Sequence, residues 1–136
     1  MTAFNDIREK IIRLCQGEMA IKAAYIFGSF PRQVDKEPED IDIAILVDND
    51  QLGTFSVPSF ISLLEKILHY RVDLVLLNRA GEVLKYEVRR TGKLIFERSP
   101  DIGKRFEISS RKTYEDFLFL HKKYVSNVLY GGTSGK

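Results

Sequence analysis

The chain has 136 residues, 44% of them hydrophobic and 29% charged, which is the balance of an ordinary soluble globular domain and a length that suits one domain better than two. With nine glycines, four prolines and a single cysteine it is neither collagen-like, nor a low-complexity disordered chain, nor a disulfide scaffold. Twenty-one Lys and Arg against nineteen Asp and Glu leave a net charge of +2, too near balance to argue for nucleic acid as a partner.

From the N-terminus, Asn5 or Asp6 is the expected cap of a first helix carrying Ile7, Ile11, Ile12, Leu14 and Cys15 and ending near Gly17. Residues 23–27 read as a short buried strand stopped by Gly28-Ser29, with a helix expected to follow. Residues 41–47 form a second strand with a period of two. Ile41, Ile43 and Ile45 point to one face, and Asp40, Asp42 and Ala44 to the other. Ser56 then caps a helix whose stripe is Phe60, Ile61, Leu64, Ile67 and Leu68, and residues 71–77 are a third strand with Asp73 embedded in it.

A helix is expected from Asn78 to Arg90, closed by Gly92, then a short strand over residues 93–97. Ser99-Pro100 reads as the start of a last helix running to about Leu129, with Phe106, Tyr114, Phe117, Leu118, Tyr124, Val125 and Val128 on its apolar side. Residues 131–136 read as a disordered tail. The expected order is α-β-α-β-α-β-α-β-α, an α/β sandwich. The longest uncharged apolar run is five residues, Ile43 to Val47, far below the roughly 20 a membrane span needs, so no membrane segment is expected. No basic stretch precedes an apolar one at the N-terminus, so no secretory signal is expected either, and with Cys15 the lone cysteine the expected compartment is the cytoplasm.

The chemistry is concentrated in Gly28-Ser29, Asp40-Ile41-Asp42 and Asp73. Alternation places Asp40 and Asp42 side by side on one face of a strand, where like charges repel and a divalent cation would relieve them. Oxygen-only ligands favour a hard ion such as Mg²⁺. If the strand carrying Asp73 is a neighbour, three carboxylates meet and can hold two metal ions. Gly28 lets backbone approach a ligand closely, and N–H groups at the start of a following helix would seat phosphate. Neither a P-loop nor a Gly-x-Gly-x-x-Gly fingerprint occurs. The bland alternatives are a solvated strand edge for Asp40 and Asp42, an ion pair with Arg71 or Arg89 for Asp73, and an ordinary turn at Gly28-Ser29. His69 and His121 have no second ligand at zinc spacing.

Residues 26–32 (Ile-Phe-Gly-Ser-Phe-Pro-Arg), Asp40-Ile41-Asp42-Ile43-Ala44-Ile45 and Val72-Asp73-Leu74-Val75 resemble the signature of the DNA polymerase β-type nucleotidyltransferases in their minimal (MNT) form. Thr91-Gly92-Lys93-Leu94-Ile95-Phe96-Glu97 is similar to the end of the MNT core. Pro31 and Gln33 depart from the usual text, in which Gly-Ser-Phe-Ala-Arg-Gly is frequent. The resemblance implies a small mixed sheet flanked by helices over residues 1–98, with residues 99–130 as a helical extension of the same domain. It implies Asp40, Asp42 and Asp73 as catalytic metal ligands for two Mg²⁺ ions, and Gly28, Ser29 and Arg32 as nucleotide-binding residues. The activity implied is transfer of AMP from ATP to an acceptor hydroxyl. In MNT antitoxins that acceptor is commonly a tyrosine of a HEPN-domain toxin. The alternative is an MNT-fold module that neutralises a HEPN partner by contact alone. The apolar residues on several faces of the last helix suit either a partner surface or homodimer contact, or simply closure of the sandwich.

Overall fold

The computed structural model describes residues 3–32 and 38–129. Helix α1 (Ala3–Gly17) buries Phe4, Ile7, Ile11 and Cys15, the i, i+3/i+4 stripe its sequence implies. It starts before the expected caps. Asp6 lies in its first turn, where a carboxylate suits the helix dipole, and pairs with Lys10 at 3.1 Å. Strand β1 (Ile21–Phe27) begins two residues earlier than expected and is buried at every position but Lys22, as a central strand should be. Only a three-residue 3₁₀ turn, Phe30–Arg32, stands where a helix was expected, and the described residues contain no α-helix between β1 and the next strand. The buried Phe30 and Pro31 fill this corner, Phe30 with its ring 5.7 Å from Phe4.

Strand β2 (Asp40–Val47) runs antiparallel to β1, with Phe27 opposite Asp42 and Ile26 opposite Ile43. Helix α2 (Val57–Leu68) begins at the Ser56 cap, whose hydroxyl accepts the Ser59 N–H at 3.3 Å. It ends on His69, which sits outside the helix in the left-handed region at φ 62°. Strand β3 (Arg71–Leu76) pairs parallel to β2, and the Glu65 carboxylate accepts the Val72 N–H at 2.9 Å. A 3₁₀ turn, Leu77–Arg79, then delays helix α3, which spans Glu82–Thr91 rather than starting at Asn78. Asn78 instead completes a strand pairing with its side chain. Its Oδ1 accepts the Val47 N–H at 2.9 Å and its Nδ2 donates to the Val47 carbonyl at 2.7 Å.

Strand β4 (Lys93–Glu97) pairs antiparallel with β1, giving a mixed sheet in the order β3-β2-β1-β4. Helix α4 (Ile102–Leu129) starts two residues beyond Ser99-Pro100. Asp101, at φ 71°, turns the chain, and the Glu97 carboxylate accepts the Gly103 N–H at 3.0 Å, taking the capping role expected of Ser99. The tail expected over residues 131–136 lies outside the described residues.

Helices α1 and α2 cover one face of the sheet, packing Ile7, Ile11, Phe60, Leu64 and Leu68 against Ile26, Ile41, Ile43 and Ile45. Helices α3 and α4 cover the other, where Val88 and Phe106 meet Tyr25, Phe27 and Ala44. The second face has the smaller apolar cluster because Asp40, Asp42 and Asp73 occupy it where Ile residues line the first. Among the described residues no helix is long and apolar enough to cross a membrane.

Candidate active site

Three strands set the acidic end of this face. In the parallel ladder Asp40 lies opposite Arg71 and Asp42 opposite Asp73, so Asp42 and Asp73 stand side by side with Asp40 two residues along the same strand face. Asp73 was expected amid apolar neighbours. It is exposed, because β3 is the edge strand, and Asp40 is exposed as well. Asp42, flanked by β1 and β3, is half-buried. Its carboxyl is pushed above the ordinary aspartate range, first by burial, then by the charge of Asp73 and a side-chain hydrogen bond with it, and last by the charge of Asp40. The Asp42 carboxyl thus responds to Asp73 across the β2–β3 ladder.

Asp40 acts on the pair through its field alone. Among the described residues no three His, Cys, Asp or Glu side chains are gathered closely enough to hold a metal ion as they stand. The ion pairs among the described residues, Lys10–Asp6, Lys85–Glu82 and Arg90–Glu87, leave these three aspartates out. Arg89, one alternative partner for Asp73, is held elsewhere. Its Nε donates to the Ser110 hydroxyl at 3.2 Å, and its guanidinium lies over the rings of Tyr86 and Tyr114.

Gly28 closes the site from the β1 side. Its φ of 82° is a conformation that side chains rarely adopt. A Cβ built there would run into the Asp42 Oδ2 atom and stand 3.3 Å from its Cγ. Backbone therefore lies directly against the carboxylate with no room for a side chain. The Gly28 N–H is already engaged. It donates to the buried Thr91 hydroxyl at 2.9 Å. Ser29, next in the chain, is exposed. Arg32 ends the 3₁₀ turn, and its side chain, like residue Gln33, lies outside the described part of the structure.

Sequence reasoning missed Thr91 as part of this site. The only signal was its place beside Gly92 in the stretch that resembles the end of the MNT core.

A mixed sheet presenting aspartates from two neighbouring strands beside a glycine turn defines a nucleotidyltransferase framework, and residues 9–101 match the polymerase beta nucleotidyltransferase family. The chain belongs to that family. It is similar to protein adenylyltransferase MntA of Aphanizomenon flos-aquae, with 27% identity over 132 residues, covering 90% of this chain and 88% of the relative. A relative from Methanocaldococcus jannaschii is 32% identical over 76 residues, covering 55% of this chain and 76% of its own length. Among solved structures, a chain of a toxin-antitoxin crystal structure with AMP-PNP superposes with a TM-score of 0.73 at 25% identity, over 90% of this chain and 98% of that one. A complex of a tri-AMPylated Shewanella oneidensis HEPN toxin with MNT antitoxin shares the fold, with a TM-score of 0.72 at 24% identity, over 92% of this chain and 98% of the other.

Proposed function

We propose that this nucleotidyltransferase is a cytoplasmic protein adenylyltransferase that moves AMP from Mg·ATP onto a tyrosine hydroxyl of a HEPN-domain toxin and so acts as its antitoxin. The observation that carries the reading is the Asp42–Asp73 pair, in register on adjacent strands and backed by the Gly28 backbone. The likeness to an adenylyltransferase along nearly its whole length supports the choice of AMP. The likeness to a toxin-antitoxin structure with AMP-PNP supports the choice of partner.

The donor set suits Mg²⁺. All three side chains offer carboxylate oxygen, and the raised proton affinity of Asp42 marks a cluster that a divalent cation would neutralise. Asp40, Asp42 and Asp73 would hold two Mg²⁺ ions. Asp40 is exposed at the strand end, so its side chain can turn toward the pair while the ladder holds its backbone. Bound Mg²⁺ neutralises triphosphate and leaving-group charge. Ser29 supplies donors to the β- and γ-phosphates from the exposed side of the turn, and Arg32 is assigned to the same phosphates. The acceptor oxygen attacks the α-phosphorus, a P–O bond forms as the bond to the β-phosphate oxygen breaks, the hydroxyl proton is lost to base, and pyrophosphate departs.

The test is transfer of label from [α-³²P]ATP to a HEPN-domain protein, sought first in the gene next to this one. Labelled partner, with labelling abolished by EDTA, is the expected result. A partner bound and neutralised without label would favour the contact-only module.

A further inference from the structure

We infer that Thr91 is a positioning residue of this site, its hydroxyl fixing the Gly28 turn against Asp42; the inference rests on the adenylyl-transfer reading above. Thr91 is the last residue of α3 and is only 6% exposed. Its hydroxyl donates to the Glu87 carbonyl at 2.8 Å, one helical turn back. A threonine satisfying itself this way is common and by itself means little. Here, however, the proton is committed to Glu87, so the oxygen lone pair is turned outward, and it accepts the Gly28 N–H at 2.9 Å across 63 residues of sequence. Gly28 in turn lies against the Asp42 carboxylate, where no Cβ fits.

The next residue reinforces the corner. A Cβ on Gly92 would meet the Val88 carbonyl of its own helix and come within 3.4 Å of the Phe27 Cβ, so the end of α3 lies beside the exit of β1. A continuous path thus runs from the Glu87 carbonyl through the Thr91 hydroxyl and the Gly28 amide to the Asp42 carboxylate.

That path fixes how far the Ser29 donors stand from Asp42, and hence how seated phosphates align with the carboxylates. Loss of the hydroxyl leaves the triphosphate donors in place but frees the turn that carries them. Misalignment of that kind lowers the chemical step more than ground-state binding.

Thr91→Val keeps the shape and removes the hydrogen bonds, whereas Thr91→Ser keeps the hydroxyl. For Thr91→Val we expect kcat for AMP transfer to the HEPN protein to fall by roughly 10- to 100-fold with KM for ATP little changed. Thr91→Ser should restore kcat to near the wild-type value. Amide hydrogen exchange, read by NMR without nucleotide, should find the Gly28 N–H protected in the wild type and exchanging much faster in Thr91→Val. Thr91→Val with wild-type kcat, or Thr91→Ser as impaired as Thr91→Val, would overturn the role. So would a Gly28 amide that exchanges freely in the wild type, a measurement that needs no variant to fold. A wild type that labels no acceptor but protects Gly28 would sink the adenylyl-transfer reading and reduce Thr91 to a purely structural clamp.

Discussion

Asp42 governs the electrostatics of the site because it is the one aspartate of the three withdrawn from water, and both of the others add to its burden. Its proton is held more tightly in the folded chain than in the unfolded one. Between the ordinary and the raised value the native state binds the extra proton, so metal-free stability is greatest below the ordinary aspartate value and falls as pH rises through the raised one. Asp42→Asn removes this dependence. The variant should melt slightly above the wild type at neutral pH, keep its fold, and lose transfer by at least roughly a hundredfold. Melting curves across pH and the label-transfer assay check both halves, and a variant with wild-type activity in Mg²⁺ would defeat the assignment. The same proton competes with metal, so the rise in melting temperature that Mg²⁺ produces should grow with pH through this window. Gly28 makes a second prediction at this scale. Gly28→Val must adopt a left-handed φ and push against the Asp42 carboxylate, so stability should drop by about 1–3 kcal/mol. Mg·ATP binding should weaken more than in Ser29→Ala, whose lost hydrogen bond is worth about 0.5–1.5 kcal/mol. Calorimetry below the melting range of both variants compares the two.

At the scale of elements, local patterns were legible and long-range substitutions were not. The period of two in β2 sorted Ile41, Ile43 and Ile45 from Asp40, Asp42 and Ala44, and the sheet keeps that division. Most of the helical stripes and the Ser56 cap were legible for the same reason, since each depends on residues three or four apart, but Ile67 of the expected α2 stripe is exposed. Asn78 was not, because its role is to mimic a strand residue for Val47, 31 positions away. Nor was the start of α4, where Glu97 does the work expected of Ser99. The end of α1 is the largest case. Its last turn contains no basic residue, and Arg98, just past β4, donates instead to the carbonyls of Cys15 at 2.7 Å, Glu18 at 2.8 Å and Ile21 at 3.1 Å. One planar guanidinium thus ties helix end, loop and strand start together, a task a lysine cannot perform with a single ammonium. Arg98→Ala removes these charge-assisted bonds, while the Cys15 and Glu18 carbonyls keep the backbone N–H groups of Glu18 and Ile21, and should cost about 1–3 kcal/mol, with Arg98→Lys recovering only part, as denaturant unfolding would measure. Loss below about 0.5 kcal/mol would mean that water satisfies the carbonyls equally well.

For the molecule as a whole, the sequence allowed the last helix either to close the sandwich or to meet a partner, and the two halves of α4 differ in burial. Its first half is part of the domain. Gly103 packs against Leu94 and Tyr25, Phe106 lies 6.1 Å from the Tyr25 ring, and Tyr114 stacks on Tyr86 at 4.7 Å. The Thr113 hydroxyl donates to Glu82, the first residue of α3, so α3 has run out at that level. Beyond it α4 continues to Leu129, and a helix of 28 residues is about 42 Å long. Phe119, Leu120, Tyr124 and Val128 on this outer half are each 60–67% exposed. Side chains already in water contribute almost no transfer free energy to folding, so replacing these four by Ser, Gln, Gln and Thr should leave the melting temperature and Mg·ATP binding unchanged. Phe106→Ala, by contrast, opens the α3–α4 face over Tyr25 and should cost about 2–4 kcal/mol, discounted from a fully buried phenylalanine because Phe106 is half-buried. A patch this apolar is more than a solvated helix face ordinarily carries. The fourfold variant should therefore lose affinity for the HEPN protein by at least about tenfold, which is about 1.4 kcal/mol, in a titration followed by calorimetry. If affinity is kept and the variant instead elutes as a smaller species than the wild type, the outer half of α4 joins two copies of this chain. If the melting temperature falls as far as in Phe106→Ala, the outer half belongs to the folded core after all.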